Sequence, residues 1–276
     1  MKRTEDIRLS IVLSAQPTHF AAATFQGELA RNLAHIATLG YDGVELAIRE
    51  PAILDCDAVV ALLDRYALAV PAIGTGQAWG EEHLSFTDPQ PEVRRAAIDR
   101  AKSHIPFAAR VGAQIVIGLL RGIVQPGVAF DQAWTWMVDA LREVAEAATV
   151  HNVSVCLEPL NRYETDLVHT VVEGLALLEQ VGADNVGLLL DTFHMNIEEV
   201  SLSQAIRDAG KRLFHVHVAD SNRHYPGAGH IDFGGVLRTL SEVGYTGYVS
   251  GEFLPEPDAE RAAAAAIHYL RSIKMD

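Results

Sequence analysis

The sequence predicts an α/β protein of the (β/α)8 TIM-barrel class, folded as a single domain over residues 1–276. Eight short runs rich in β-forming residues alternate with longer helical patterns, at roughly one unit per 34 residues. A chain of this length suits such a barrel, which takes about 250 residues. No linker, low-complexity tract or block of charge marks a second domain. An open doubly wound sheet is the alternative, but no Gly-x-Gly-x-x-Gly turn follows the first strand to favour it.

The predicted strands alternate with helices throughout, which indicates a parallel sheet closed into a barrel. In chain order they are Leu9–Leu13, Gly43–Ile48, Ala67–Ile73, Gln114–Leu119, Val153–Glu158, Val186–Asp191, Leu213–Val218 and Gly247–Glu252. The helical patterns between them include Glu92–Val111, Gln132–Val150 and Val168–Val181, and an alanine-rich closing helix contains Ala262–Ala266. A glycine stands just before a strand at Gly40, Gly182 and Gly244. Glycine at these points is typical of a helix C-cap.

Side-chain alternation indicates which residues face the barrel interior. The strand Phe214-His215-Val216-His217-Val218 places its three apolar side chains on one face, which should pack on the surrounding helices. Both histidines then point inward. His217 lies near the strand end, whereas His215, one layer deeper, is interpreted as a satisfied core histidine.

Four consecutive strands, the fifth to the eighth, end in inward-facing residues that can hold a metal: Glu158, Asp191, His217 and Glu252. The carboxyl ends of barrel strands meet on one face, where the active sites of this fold lie. Three carboxylates placed together would repel one another and raise their pKa values. A divalent cation removes this conflict, and three oxygens with one nitrogen suit Mn²⁺, Mg²⁺ or Co²⁺. Each residue alone fits a helix cap, an ion pair or a core histidine, but the set predicts a metal site.

Such a site predicts proton transfer beside a carbonyl group. A cation bound to neighbouring carbonyl and hydroxyl oxygens acidifies the adjacent C–H bond because it stabilises the developing enediolate. Glu158 and Glu252 are the predicted catalytic residues, each holding the metal through one oxygen and moving a proton with the other. Two bases on opposite faces of the carbon give epimerisation, whereas a proton carried between neighbouring carbons gives aldose–ketose isomerisation. The residues leave this choice open.

The composition of the chain limits which binding partners and which cellular compartment we expect. The chain has 22 Lys and Arg against 36 Asp and Glu, a net charge of −14 that repels phosphate backbones and argues against nucleic acid as a partner. No apolar stretch reaches the roughly 18 residues that a membrane span needs. Two cysteines, Cys56 and Cys156, cannot make a disulfide framework. We therefore expect a cytoplasmic protein that acts on a small molecule.

Three motifs around the predicted site resemble the ketose 3-epimerase group, which includes the D-tagatose and D-psicose 3-epimerases of the xylose-isomerase-like barrel superfamily. The motifs are Glu158-Pro-Leu-Asn-Arg-Tyr-Glu-Thr-Asp166, Leu190-Asp-Thr-Phe-His-Met-Asn-Ile-Glu-Glu199 and His217-Val-Ala-Asp-Ser-Asn-Arg223. The resemblance implies that the four strand-end residues hold the metal and that Glu158 and Glu252 exchange the proton through a cis-enediolate. It implies that His194 and Arg223 hold substrate oxygens and that Glu164 orients a metal-bound Glu or the substrate. It also implies a dimer or tetramer.

Further upstream, the sequence looks most like the 5-keto-L-gluconate epimerases of that group. The stretches are Ala72-Ile-Gly-Thr-Gly-Gln-Ala78, Leu84-Ser-Phe-Thr-Asp-Pro89 and Ile117-Gly-Leu-Leu-Arg-Gly122. Arg49 and Arg121 follow the second and fourth strands and should reach the active-site face, where guanidinium groups would bind a substrate carboxylate or phosphate. Alternatively, each pairs with a nearby acid such as Glu50. Trp79 is predicted to form a stacking wall, or else to belong to the core. The favoured substrate pair is 5-keto-L-gluconate and D-tagaturonate.

Other functions remain open beside this one. A neutral ketose 3-epimerase, or a hydroxypyruvate or inositol-pathway isomerase, would share the metal centre. A non-catalytic metal or sugar sensor is a further alternative. An endonuclease-IV-like DNA repair enzyme shares Asp191-Thr-Phe-His194, but it needs further histidines near the ends of strands three and four. Those ends read Gly74-Thr-Gly-Gln77 and Gly118-Leu-Leu-Arg121, and His230-Ile-Asp232 has the opposite order to that family's Asp-x-His.

Overall fold

A computed structural model describes residues 7–274, so residues 1–6 and 275–276 of the predicted domain lie outside the described part. Eight parallel strands form a closed barrel, in which each strand pairs with the next and β8 pairs back to β1. The strands are β1 Arg8–Ser14, β2 Glu45–Ala47, β3 Ala72–Gly74, β4 Gln114–Ile117, β5 Val155–Leu157, β6 Val186–Asp191, β7 Leu213–Val218 and β8 Tyr248–Gly251. A two-residue strand, Phe25–Gln26, pairs beside the end of β1. The predicted (β/α)8 barrel is confirmed.

Helices surround the barrel and cover its apolar outer face. They are α1 Leu29–Leu39, α2 Cys56–Tyr66, α3 Gln77–Glu82, α4 Pro91–Ser103, α5 Ile105–Val111, α6 Phe130–Thr149, α7 Val171–Val181, α8 Thr192–Glu198, α9 Leu202–Ala209, α10 Phe233–Glu242 and α11 Ala259–Ser272. Gly40 and Gly182 end α1 and α7 with positive φ angles of 89° and 71°, as predicted for C-cap glycines. Over the described residues, no helix combines the length and apolar composition that crossing a bilayer requires.

The three helices predicted with bounds end or begin elsewhere in the structure, and Gln132–Val150 is the least changed, since α6 spans Phe130–Thr149. The pattern over Glu92–Val111 forms two helices, α4 and α5, because Pro106 lacks the N–H group that would continue the helix and its ring crowds the preceding turn. The helix predicted from Val168 begins at Val171, since Thr170 and Glu173 form a capping box that fixes the N-terminus.

The prediction that Phe214 packs on the outer helices is wrong. Strand pairing between β6 and β7 shifts at this point: Leu188 pairs with Leu213 and Leu189 pairs with His215, which leaves Phe214 as a bulged residue. Its ring packs with a small cluster inside the barrel, formed by Ala72, Val116, Cys156 and Leu189. Val216 and Val218 do belong to the larger core with the helices. The bulge therefore turns one aromatic side chain into the barrel, beneath the functional end.

Candidate metal centre and active site

The four predicted metal ligands come together at the carboxyl end of the barrel. Glu158 and Glu252 directly follow β5 and β8, Asp191 ends β6, and His217 is the penultimate residue of β7. One donor atom from each residue lies within 4.8 Å of the others. His217 Nδ1 is 3.7 Å from Glu158 Oε1 and 3.7 Å from Glu252 Oε2. Four strand ends thus bring three carboxylates and one imidazole around a single point.

Unpartnered polar atoms point to a cation at this position. Glu158 Oε1, Asp191 Oδ2 and His217 Nδ1 are buried and have no hydrogen-bond partner among the described residues. Leaving such atoms unpaired in the interior costs about 1–3 kcal/mol each, and more when they are charged. Carboxylate oxygens with one imidazole nitrogen are donors that Mn²⁺, Mg²⁺ and similar divalent ions accept. The residues present therefore fit a divalent metal.

The electrostatics of the carboxylates lead to the same conclusion. Burial raises the pKa of Asp191 to about 8; Glu252 and Glu158 add to this increase, while His217 opposes it. Burial also raises the pKa of Glu158, and the neighbouring Glu252 contributes in the same direction. Carboxyl groups held this close tend to keep protons unless a positive charge offsets their repulsion. A bound cation would supply that charge.

Asp191 connects this cluster to the helix that follows β6. Its Oδ1 accepts a hydrogen bond of 2.9 Å from the backbone N–H of Phe193 and thereby caps α8, while Oδ2 faces the other candidate ligands. One turn along α8, His194 Nε2 lies 3.7 Å from Asp191 Oδ2 and 4.0 Å from Glu158 Oε1. The helix-cap and metal-ligand interpretations of Asp191 are therefore compatible, because its two oxygens serve different neighbours.

His194 is held in one orientation by Asn161. Its Nδ1 accepts hydrogen bonds from the Asn161 backbone N–H at 3.3 Å and from the Asn161 amide at 2.7 Å. A neutral imidazole that accepts at Nδ1 carries its hydrogen on Nε2. Burial, reinforced by the charge of Arg223, lowers the pKa of His194 well below its usual range. The neutral ring thus presents an unpartnered Nε2–H donor toward the carboxylate cluster.

Arg223 and Glu164 form the polar wall next to the cluster. Arg223 donates a 2.9 Å hydrogen bond to Glu164 Oε1, and its guanidinium lies 3.7 Å from Glu252 Oε2. The guanidinium also lies 4.8 Å from the ring centroid of Phe193, a distance suited to a cation–π contact. Glu158, Glu164, His194, His217, Arg223 and Glu252 all line one cavity. The resemblance-based residues are therefore brought together with the predicted ligands.

The remaining predicted substrate-binding residues lie elsewhere: Arg49, Arg121 and Trp79 are not among the described residues that line the cavity. Arg49 is half-buried with its Nε 3.6 Å from Glu82 Oε1, so an acid partner occupies it, as the alternative interpretation expected. Arg121 is fully buried and donates to the backbone carbonyl of Glu158 from behind the site. Each arginine lies at the predicted end of the barrel because it follows a strand. Its side chain, however, does not point into the cavity.

Glu45 is a site residue that the sequence analysis did not assign. It begins β2, lines the cavity and is 2 % exposed. Its carboxylate accepts hydrogen bonds from the Nε2 atoms of His215 and His217, both at 2.9 Å. Burial alone would raise the pKa of Glu45, but the two histidines outweigh burial and lower it well below its usual range. The sequence did contain one indication of this role, because Glu45 is an acidic residue between the apolar strand residues Val44 and Leu46.

Gly118 provides the space that Glu158 occupies. A Cβ atom at this position would lie 2.6 Å from Glu158 Oε2, closer than van der Waals contact allows. At Gly76, another glycine of the same cavity wall, an added Cβ would have its nearest neighbour, the Leu119 Cβ, 3.9 Å away. The carboxylate of Glu158 therefore depends on a glycine on the adjacent strand end.

If Glu158 has the catalytic role predicted from the sequence, we expect Gly118→Ala to lower kcat/KM by about 100-fold, because displacing such a group by about 1 Å can cost that much. Steady-state kinetics at saturating Mn²⁺ would measure the loss. Gly76→Ala is the matched control and should stay within about threefold of wild type. Equal activity of the two variants would show that the position of Glu158 tolerates the added methyl group.

The sequence and the fold of this chain are both similar to those of known sugar epimerases. Residues 33–273 match the model of the xylose isomerase-like TIM barrel family. The chain is 34 % identical to an L-ribulose 3-epimerase of Mesorhizobium japonicum, over 84 % of this chain and 78 % of the relative. Among solved structures, D-psicose 3-epimerase from Clostridium cellulolyticum H10 with D-tagatose superposes with a TM-score of 0.82 at 26 % identity, covering 97 % and 99 % of the two chains. A 3-keto-D-glucoside 4-epimerase of Escherichia coli gives 0.80 at 26 %, covering 95 % and 99 %.

Proposed function

The chain belongs to the xylose isomerase-like TIM barrel family, and on that premise we propose that it is a divalent-metal-dependent ketose epimerase. Its relatives include L-ribulose and D-psicose 3-epimerases and a sugar 4-epimerase, which places the chain among carbohydrate isomerases. The observation that carries the proposal is the meeting of Glu158, Asp191, His217 and Glu252 around one point of a cavity. Mn²⁺, Mg²⁺ and Co²⁺ are the proposed ions.

The two glutamates are proposed to exchange the proton. One carboxylate removes the hydrogen from the carbon next to the carbonyl, which leaves a cis-enediolate, and the other carboxyl group returns a proton to the opposite face of that carbon. After the reaction the two side chains have exchanged protonation states. Glu158 Oε1 and Glu252 Oε2 each lie 3.7 Å from His217 Nδ1, so both carboxylates border the same point of the cavity, which supports this division of roles. A divalent cation, when bound, would stabilise the negative charge that develops on the enediolate oxygens.

Three further residues are proposed to hold the sugar. His194 offers its Nε2–H group as a donor, and Arg223 offers an unpartnered, buried Nε. Glu164 fixes Arg223 through their 2.9 Å contact and presents an acceptor for a substrate hydroxyl. Donors and acceptors fixed before the substrate arrives lower the cost of orienting it.

The charges of the cavity favour a neutral ketose over a keto-sugar acid. The described lining has one Arg, Arg223, against five acidic side chains: Glu45, Glu81, Glu158, Glu164 and Glu252. Among the described lining residues, the guanidinium of Arg223 is the sole Lys or Arg group, and it already contacts Glu164. A substrate carboxylate would have to compete for it. The pair 5-keto-L-gluconate and D-tagaturonate therefore becomes the second candidate, supported by the free Nε of Arg223.

A substrate panel in D₂O tests the proposal. Purified protein with Mn²⁺ or Mg²⁺ would be given D-fructose, D-tagatose, L-ribulose, 5-keto-L-gluconate, D-tagaturonate and a ketose phosphate. We expect turnover of a neutral ketose, with one solvent deuteron at the inverted carbon because the proton comes from an exchangeable carboxyl group. Turnover of the sugar acids alone would reject the preference for a neutral substrate. Aldose products, or cleavage of duplex DNA at an abasic site, would contradict epimerisation.

A further inference from the structure

We infer that Glu45 is a positioning residue that aims the imidazole of His217 at the metal site. The inference rests on the proposed function in one respect: the four-residue site must hold a divalent cation. Glu45 itself lies outside that set of four and contacts it only through His217.

The contact between Glu45 and His217 joins two strands of the barrel that are not neighbours, with β1 and β8 between them. Glu45 begins β2 and His217 lies on β7, 172 positions later. His217 Nε2 is 2.9 Å from Glu45 Oε1 and 3.0 Å from Oε2, and both side chains are almost completely buried. The imidazole ring is therefore held by one partner across the barrel interior, on the side away from Glu158 and Glu252.

Chemistry fixes which nitrogen of His217 faces the cation. An ionised carboxylate only accepts hydrogen bonds, so Nε2 of His217 must carry the hydrogen that Glu45 receives. In a neutral ring the lone pair is then on Nδ1. That atom is the one 3.7 Å from both Glu158 Oε1 and Glu252 Oε2. Glu45 thus selects the tautomer that can bind a metal and sets the direction of its lone pair.

His215 restrains the positioning carboxylate in turn. Its Nε2 donates to Glu45 Oε2 at 2.9 Å, and its ring meets that of His217 edge to face, with centroids 5.3 Å apart. The three groups could alternatively be ligands of a second ion, since their donor atoms also lie within 4.8 Å of one another. Separations of 2.9 Å are those of direct hydrogen bonds, which favours the positioning role.

Glu45→Gln tests the inference by metal affinity. Glutamine is uncharged, and its carbonyl oxygen can accept from one ring only while its amide hydrogens face the other ring, so it holds the tautomer of His217 less firmly than the carboxylate does. Outer partners of metal-binding histidines typically contribute about 10–100-fold in affinity. Calorimetric titration of chelator-stripped protein with Mn²⁺ should therefore show a Kd raised by about 10–100-fold, with one ion per chain in both proteins.

Glu81→Gln is the matched control. It makes the same chemical change in the same cavity wall, but Glu81 bonds Thr18 and His19 rather than a candidate ligand. Its Kd for Mn²⁺ should stay within about threefold of wild type.

If Glu45→Gln binds Mn²⁺ as tightly as this control, the positioning role is wrong and the proposed function stands. If wild type itself does not bind Mn²⁺, the proposed metal site fails first. Two ions in wild type and one in Glu45→Gln would make Glu45 a ligand and overturn the inference.

A measurement on the wild-type protein covers the case in which Glu45→Gln does not fold. Nitrogen-15 NMR of histidine-labelled, Mg²⁺-loaded protein distinguishes the two tautomers of each ring. We expect the hydrogen of His217 on Nε2. A hydrogen on Nδ1 would overturn the inference without any variant.

Discussion

Replacing either Glu158 or Glu252 by glutamine should lower kcat by about 10²–10⁴-fold, the usual contribution of a general acid or base. An amide cannot take up or return the proton, and the loss should be similar at the two positions because each is needed once per turnover. Initial rates on the best substrate of the panel, at saturating Mn²⁺, would measure it.

Bound metal and isotope exchange separate proton transfer from loss of the ion. Each variant should be assayed for Mn²⁺ content and for deuterium uptake into unreacted substrate. Glu146→Gln on the exposed face of α6 is the control and should retain wild-type rates. Rates within threefold of wild type in either active-site variant, with metal bound, would contradict the two-carboxylate mechanism.

Removing the divalent ion should abolish activity and lower the melting temperature. An ion at 100 times its Kd stabilises the folded state by about 2.7 kcal/mol, which corresponds to roughly 5 °C or more for a chain of this size. Dialysis against a chelator, followed by return of Mn²⁺, Mg²⁺ or Co²⁺, would test both effects. Undiminished turnover in the stripped protein would contradict a role for metal.

The affinity for Mn²⁺ in the calorimetric titrations described above should decrease as the pH is lowered. Because the pKa of Asp191 is raised to about 8 in the metal-free protein, its carboxyl group holds a proton below that pH. Metal binding must displace this proton, so affinity should fall as pH decreases from about 8. Titration in buffers of different ionisation enthalpy would detect the released protons. An affinity that is constant between pH 6 and 8 would count against this linkage.

Sequence reasoning predicted the fold and the cluster because both follow from short-range rules. Alternation along a strand and the meeting of strand ends were enough to bring Glu158, Asp191, His217 and Glu252 to one place. The same rules could not predict the direction of long side chains. Arg49 instead faces Glu82, and Arg121 lies behind Glu158, because packing of the loops decides where a flexible guanidinium goes.

Long-range pairing explains the other differences. Glu45 was not assigned because its partners His215 and His217 are about 170 positions away, and no local pattern connects them. Phe214 was assigned to the wrong face because one bulge changes the alternation on which the assignment depended. The break at Pro106, by contrast, was present in the sequence and should have divided the predicted helix.

The double use of Asp191 has a consequence for how ion and sugar bind. One oxygen caps the first turn of α8, the other faces the proposed metal site, and Nε2 of His194 in that turn, the proposed substrate donor, lies 3.7 Å from this second oxygen. Because Asp191 links the ion site to the first turn of α8, we expect binding of the ion to restrain that turn, and binding of sugar by His194 to restrain Asp191. Thermodynamic reciprocity then requires that sugar tighten the hold on the ion by the same factor as the ion tightens the hold on sugar. The enzyme should accordingly lose its ion most easily when it is empty of sugar, and keep it during turnover.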